Sequence, residues 1–264
     1  CSQGNSQVYG LYSTYALTRS TTVKQNLSIN FENKNYLNST NGIESSNYQL
    51  NNLSVGINGS LLGEGFTAGW GGTLTVGNLS INNTTQLAND VNGAATQGYF
   101  AKLGLNASYS RPLPLDKTDL SFSVYGQLAN KNLNSAEQIY LGGPYAIRAY
   151  PVAQGGGAQG AVASVELTHT LFSALQIGTL FDAGLVQQYV NTYNNWQGLT
   201  NADNLYPLYG TGLLAKYSYE RVQLQAAVAY RIGANPLYNQ TGQQLNVDNQ
   251  YKQVQFWLKG SFFF

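Results

Sequence analysis

Apolar and polar residues alternate along most of the chain with a period of two. Between residues 120 and 128, for example, Leu120, Phe122 and Val124 alternate with Ser121 and Ser123. A two-residue period places apolar side chains on one face of a β-strand and polar side chains on the other, so each such run predicts a strand. The pattern predicts about eleven strands and no helix. They lie at 9–17, 23–31, 53–57, 66–76, 101–109, 120–128, 161–171, 175–185, 208–219, 222–232 and 254–264.

The polar face of these strands carries mainly Asn, Gln, Ser, Thr and Gly rather than Lys and Glu. Aromatic residues are placed at predicted strand ends: Tyr9, Tyr15, Tyr36, Tyr48, Tyr99, Tyr109, Tyr217 and Tyr230. A polar lumen between two aromatic girdles is typical of outer-membrane barrels, and a strand of about ten residues tilted roughly 40° spans their apolar band. The sequence therefore predicts an all-β protein, a transmembrane antiparallel β-barrel, with short turns such as 112–117 alternating with longer loops.

The odd strand number conflicts with barrel closure. Lipid-exposed strands cannot leave an unpaired edge, and bacterial barrels of one chain close with an even number of strands. Either a strand is missed in 78–98 or 191–207, or further strands precede residue 1.

Composition narrows the function classes. The chain has 264 residues, of which 43% are hydrophobic and only 9% charged, with a formal net charge of +1. Soluble domains average about a quarter charged residues, and a near-neutral chain offers no basic stripe for nucleic acid. No apolar run approaches the roughly 18 residues of a spanning helix. These values favour a membrane barrel and exclude a helical membrane protein and a nucleic-acid partner.

One long segment, about 129–160, lacks the alternating pattern. It contains Gly142, Gly143 and Pro144, followed by a single arginine, Arg148. Long connections without regular structure are usually functional or disordered. We predict that this segment is a loop that folds back into the barrel lumen, and we call it the lumen loop.

Several segments together resemble the outer-membrane transporters of two-partner secretion, which include haemolysin, filamentous-haemagglutinin and contact-dependent inhibition exporters. The matching segments are Gln127, 137–143, 147–150, 165–167, 181–184 and 209–213, and 15–20 also looks like one of the family's strands. The resemblance extends over nearly the whole chain. It implies a barrel of about sixteen strands, preceded by POTRA domains and a plug helix, of which this chain is the C-terminal portion.

The resemblance also implies a function and partners. Such a protein would lie in the bacterial outer membrane, contact outer-membrane lipids and form a monomeric pore that exports a large partner exoprotein without nucleotide hydrolysis. Phe264, at the end of an aromatic final strand, looks like the signal read by the barrel-assembly machinery and implies a natural C-terminus. A passive porin and a barrel-assembly-type insertase are the alternatives.

Arg148 is the predicted centre of the functional site. An unpaired guanidinium in a neutral lumen is costly, and Asp182 shares the inward parity of a nearby strand, so a bidentate pair would hold the loop to the wall. The family's motif arginine contacts the same kind of aspartate. Glu166 is a second inward partner, and Gly142, Gly143 and Tyr150 complete the loop motif.

The motif departs from the family at one position. The family's usual motif is Val-Arg-Gly-Tyr, whereas residues 147–150 of this chain read Ile-Arg-Ala-Tyr. The methyl group of Ala149 is expected to restrict a backbone conformation that glycine permits.

Catalysis finds no support in the sequence. His169 is the single histidine and shares the parity of lipid-facing Leu167. With one histidine and one cysteine, neither a metal cluster nor a Ser-His-Asp set can be assembled. We expect no enzyme, no metal and no cofactor.

Overall fold

The structure, a computed structural model, describes residues 2–249 and 251–263. Within them, eleven strands form a single antiparallel sheet in chain order, which confirms the predicted fold class. These strands are β1 (Ser2–Arg19), β2 (Val23–Thr40), β3 (Ile43–Gly63), β4 (Phe66–Ile81), β5 (Gly98–Pro112), β6 (Thr118–Ala129), β9 (Gln159–Phe172), β10 (Leu175–Gln187), β11 (Leu205–Tyr219), β12 (Val222–Ile232) and β13 (Val254–Phe262). A two-stranded ribbon, β7 (Ile139–Tyr140) with β8 (Gly156–Gly157), lies in the connection between β6 and β9.

The two edges of the sheet are β1 and β13, which do not pair with each other in the described residues. The barrel of about sixteen strands therefore stays a prediction. Phe264, the predicted assembly signal, lies outside the described residues.

Neither segment suspected of hiding a strand contains an additional one. Residues 78–81 belong to β4, and a helix, α1 (Thr84–Val91), follows them, so the prediction of no helix was wrong. The Asn83 side chain caps the helix by accepting a hydrogen bond from the Gln86 amide at 2.9 Å. Eight residues are too few to show a helical period beside a strand. Among the described residues, none of the helical segments combines the length and the hydropathy of a membrane-spanning helix.

The outer face of the sheet carries the alternating apolar side chains. Leu213, Phe256 and Leu258, for example, are more than half exposed. Short turns join the strands at one end of the sheet, and the other end carries the longer connections 82–97, 130–158, 188–204 and 233–253. Apolar side chains facing outward and loops of unequal length on the two sides are the arrangement of an outer-membrane barrel.

The first three strands are much longer than the alternation predicted. They contain 18, 18 and 21 residues, because polar residues continue the hydrogen-bonded ladder beyond the apolar part. Tyr36 and Tyr48 are cross-strand partners in this extension and stack with ring centroids 4.9 Å apart. They pack beside buried Leu50. Their assignment to an aromatic girdle was therefore wrong.

The inner face, which we call the lumen face, is not uniformly polar. Leu50, Leu79 and Phe100 form a buried cluster with Leu133 and Ala158 of the lumen loop. A second cluster joins loop residues to apolar side chains of β9 to β12; its members include Leu141, Ile147, Tyr150, Val162, Leu180, Leu208 and Leu214. The lumen loop is thus held by apolar packing as well as by polar contacts.

The sheet curves around this loop. Glu137 of the loop reaches Lys34 on β2 at 3.5 Å, and Arg148 of the loop accepts a hydrogen bond from Trp257 on β13 at 2.7 Å. One connection can contact strands so far apart in the sheet only if the lumen face is concave.

Candidate functional site in the lumen loop

The middle of the lumen loop is a compact turn fixed by backbone hydrogen bonds. The Leu141 amide donates to the Gln154 carbonyl at 3.0 Å, and the Ile147 amide donates to the Leu141 carbonyl at 2.8 Å. A Cβ on Gly142 would lie 2.2 Å from the Pro151 carbonyl oxygen, so the site has no room for a side chain. Gly143 has φ +132°, a conformation that L-residues rarely adopt.

Arg148 lies at the end of this turn and meets Asp182 of β10. Its Nε donates to Asp182 Oδ2 at 3.0 Å and its Nη2 donates to Asp182 Oδ1 at 2.7 Å. The Arg148 backbone amide donates to the same Oδ2 at 3.0 Å. Asp182 is fully buried and Arg148 is 5% exposed. The planar fork of the guanidinium matches the two carboxylate oxygens, so this contact fixes both the position and the orientation of the loop.

Neighbouring wall strands extend the contact. Arg148 Nη1 donates to Glu166 on β9, and Nη2 also donates to the Ser164 hydroxyl at 2.7 Å. Lys216 of β11 donates to the other oxygen of Glu166 at 2.8 Å. The structure thus brings together three residues singled out in the sequence, Arg148, Glu166 and Asp182, and adds two that were not, Ser164 and Lys216.

The cluster is electrically balanced, with Arg148 and Lys216 facing Glu166 and Asp182. Burial alone would lower the pKa of Arg148, but its hydrogen bonds to Asp182 and Glu166 raise that pKa above its ordinary value. The guanidinium therefore stays charged. A buried charge with such complete pairing is stable in place, whereas removal of one partner leaves the others uncompensated.

Tyr150 closes the loop motif inside the second apolar cluster, where it is fully buried. The guanidinium carbon of Arg231, on β12, lies 4.3 Å from the centre of the Tyr150 ring, a cation–π geometry. Burial raises the pKa of the Tyr150 phenol to about 12, so the ring stays neutral and packs as an apolar side chain.

The expected restriction by Ala149 is absent, because its φ is not among the positive values of the chain. Its methyl group is fully buried and faces Gly210 of β11, where an added Cβ would lie only 2.6 Å from the Ala149 Cβ. The wall glycine thus provides the space that the loop alanine fills.

We therefore expect Gly210→Ala to displace the loop and Ala149→Gly to restore the fit in the double variant. With the Ala149 methyl gone, the next atoms lie 3.4 and 3.5 Å from the new Cβ, an ordinary contact. Overpacking a dense site costs about 1–3 kcal/mol. Limited proteolysis of the lumen loop in the full-length protein measures the effect. Equal cleavage of the single and double variants would contradict this packing.

Two further loop residues in the site escaped the sequence analysis. Glu137 is 3% exposed and bonds to Lys102 on β5 at 2.8 Å. Gln154 is 1% exposed and accepts a hydrogen bond from the Val247 amide at 3.1 Å, which ties the lumen loop to connection 233–253. The sequence did contain an indication of Glu137. Charged residues make up only 9% of the chain, so an inward lysine such as Lys102 is unusual and predicts a carboxylate partner in the lumen.

The comparisons with known proteins agree with this architecture. The family model for the haemolysin secretion/activation protein ShlB/FhaC/HecB matches residues 1–202. The chain belongs to this family. Family membership confirms the resemblance to two-partner secretion transporters and the expected outer-membrane location. The family is one of transporters rather than of enzymes.

A curated relative is the heme/hemopexin transporter protein HuxB of Haemophilus influenzae, which is 27% identical over 267 residues. The alignment covers 97% of this chain and 44% of the relative, so the chain spans less than half the relative's length. Among solved structures, CdiB from Escherichia coli superposes with a TM-score of 0.75 at 19% identity, over 99% of this chain and 46% of that one. CdiB from Acinetobacter baumannii gives 0.70 at 17% identity, over 99% and 43%. These likenesses show the fold.

Proposed function

We propose that the whole protein is an outer-membrane, protein-conducting transporter that exports a large partner exoprotein without nucleotide hydrolysis, and that the lumen loop is its gate. The observation that carries the proposal is the position of Arg148. This loop residue is bound to the walls by a buried, balanced network on β9, β10 and β11. Family membership supports the transport function, and the network supports the gate.

A polypeptide can pass only if the loop moves out of part of the lumen. The contacts of Arg148 are polar and directional, so they define one docked position of the loop. A second position, in which Arg148 has other partners, can be in equilibrium with it. Strong, buried pairing makes the docked state the resting state, and a passing chain that displaces the loop shifts the population.

The rest of the lumen face suits a sliding chain. Its polar positions are largely uncharged, as in the Asn26–Asn58 pair, whose side chains hydrogen-bond at 3.3 Å, and the Ser54–Thr75 pair at 2.8 Å. Weak and replaceable hydrogen bonds let a chain enter and leave, whereas strong charge sites would trap it. Folding of the exported chain outside the cell then supplies the direction of transport.

A passive porin is distinguished by its response to loop removal. In the full-length protein, replacement of 132–156 by a short Gly-Ser linker is expected to raise single-channel conductance several-fold in planar bilayers, because the segment that fills the lumen is gone. Deletion of 240–242, exposed residues on connection 233–253, is the matched control and leaves conductance unchanged. Channels that conduct equally with and without 132–156 would refute the gate and favour the porin.

A further inference from the structure

Glu137 lies near the beginning of the lumen loop and is paired as completely as Arg148. Its carboxylate bonds to Lys102 at 2.8 Å and Lys34 at 3.5 Å, and it accepts a hydrogen bond from the Asn52 side chain at 2.8 Å. Its backbone carbonyl accepts hydrogen bonds from Lys102 at 2.9 Å and from Gln127 at 3.0 Å. The Glu137 side chain is 4% exposed. A carboxylate so enclosed, with two ammonium partners, is a built site rather than a chance surface pair.

The partners of Glu137 and those of Arg148 lie on different parts of the wall. Lys34, Asn52, Lys102 and Gln127 belong to β2, β3, β5 and β6, whereas the wall partners of Arg148 lie on β9, β10 and β13. No wall residue among these contacts is shared by the two sites. The loop is therefore fastened at two separate places.

The two sites have opposite polarity. At the first site a loop carboxylate meets wall lysines. Glu32 on β2 bonds to Lys34 at 3.0 Å and forms no ion pair with the loop among the described residues. At the second site a loop guanidinium meets wall carboxylates. Departure of Glu137 would leave two lysines with one carboxylate, and departure of Arg148 would leave two carboxylates with one lysine. Each departure costs uncompensated charge at its own site only.

We propose that Glu137 is a positioning residue that holds the root of the lumen loop independently of Arg148, so that the loop opens as a hinged flap whose tip leaves the wall while its root stays bound. This inference rests on the proposed gating function. It predicts that the two ends of the loop are loosened by different substitutions, which a loop docked as a single rigid unit would not show.

The test uses the full-length protein with Cys1 replaced by serine and one nitroxide spin label on the loop. Ala136 and Tyr145 are both exposed, the first beside Glu137 and the second near the tip. Labels are attached at Ala136→Cys or Tyr145→Cys, and electron paramagnetic resonance in lipid vesicles gives the mobile fraction of each.

Glu137→Gln is expected to raise the mobile fraction at position 136 several-fold and to leave position 145 unchanged, while Arg148→Ala does the reverse. Glu32→Gln removes a carboxylate that pairs with Lys34 of the same wall cluster and not with a loop charge, and it should change neither label. No change at 136 in Glu137→Gln, or a joint response of both labels to either variant, would overturn the proposal.

Lys102→Met tests the same site from the wall, in case Glu137→Gln assembles poorly. It removes the closer of the two lysine partners of the Glu137 carboxylate, so it should mobilise position 136 as well, and an unchanged label there would count against the proposal. The label signals do not depend on export. If Arg148→Ala frees the tip but secretion is normal, the gating function fails while the two-site attachment stands.

Discussion

Arg148→Ala is expected to reduce secretion of the partner exoprotein by more than tenfold, while the amount of assembled barrel in the outer membrane stays normal. The substitution leaves Asp182 fully buried and Glu166 with Lys216 alone. Breaking a buried pair in this way costs about 3–5 kcal/mol, and this cost falls on the docked state of the loop. Without its anchor the loop stays in the lumen with no defined position and obstructs the exported chain, so secretion falls. Secretion is measured as partner in the culture medium, and assembly as the heat-modifiable band on a gel.

The matched control is Arg111→Ala, an exposed arginine at the end of β5. Its secretion should equal that of the parent protein. Exchange of Arg148 and Asp182, by Arg148→Asp with Asp182→Arg, is expected to restore part of the loss. Restoration is incomplete because the backbone amide of residue 148 and the Ser164 hydroxyl both donate to the Asp182 carboxylate and would lose their acceptor. Normal secretion by Arg148→Ala would remove the gating function from this residue.

Gly142→Ala is the second substitution with a large expected effect. The new Cβ would lie 2.2 Å from the Pro151 carbonyl oxygen and 2.8 Å from the Gln154 Cβ, and a backbone oxygen cannot move aside as a flexible side chain does. The turn that presents Arg148 must therefore open, at a cost at or above the roughly 1–3 kcal/mol of an overpacked core. We expect secretion to fall as far as in Arg148→Ala and the lumen loop to become sensitive to protease.

Gly104→Ala is the control for adding a methyl group to a glycine of the same barrel. Gly104 lies on β5, and the nearest atom to its added Cβ is 3.9 Å away. This variant should secrete normally and resist protease. A Gly142→Ala protein that behaves like Gly104→Ala would show that the turn does not depend on the missing side chain.

Much of the fold followed from side-chain parity in the sequence. The same parity that turns Phe181 outward turns Asp182 inward, and the single arginine of the lumen loop requires a carboxylate partner in a largely neutral lumen. Those two steps, with the family resemblance, predicted the pair that the structure shows at 2.7 Å. The prediction was possible because charged residues are few in this chain, so that only a small number of inward carboxylates could pair with Arg148.

Features that depend on packing against the loop were not predictable in this way. Leu50 and Leu180 occupy inward positions that the polar pattern would assign to the lumen, and only the docked loop explains their burial. Glu137 was overlooked because its partners Lys102, Asn52 and Lys34 lie on three different strands, from 35 to about one hundred residues earlier in the chain. Periodicity describes one strand at a time and carries no information on which distant strand a loop will meet.

The most direct test of the gate fixes the loop in its docked position and asks whether export continues. Tyr145 at the tip and Lys259 on β13 are both exposed, and the Lys259 ammonium lies 5.2 Å from the Tyr145 ring centre. In the full-length protein with Cys1→Ser, Tyr145→Cys and Lys259→Cys can be joined by a short, reducible cross-linker, with the yield read by mass spectrometry. Secretion of the partner should stop when the link forms and resume when it is reduced. Undiminished secretion by a fully cross-linked protein would show that the exported chain passes without moving this loop.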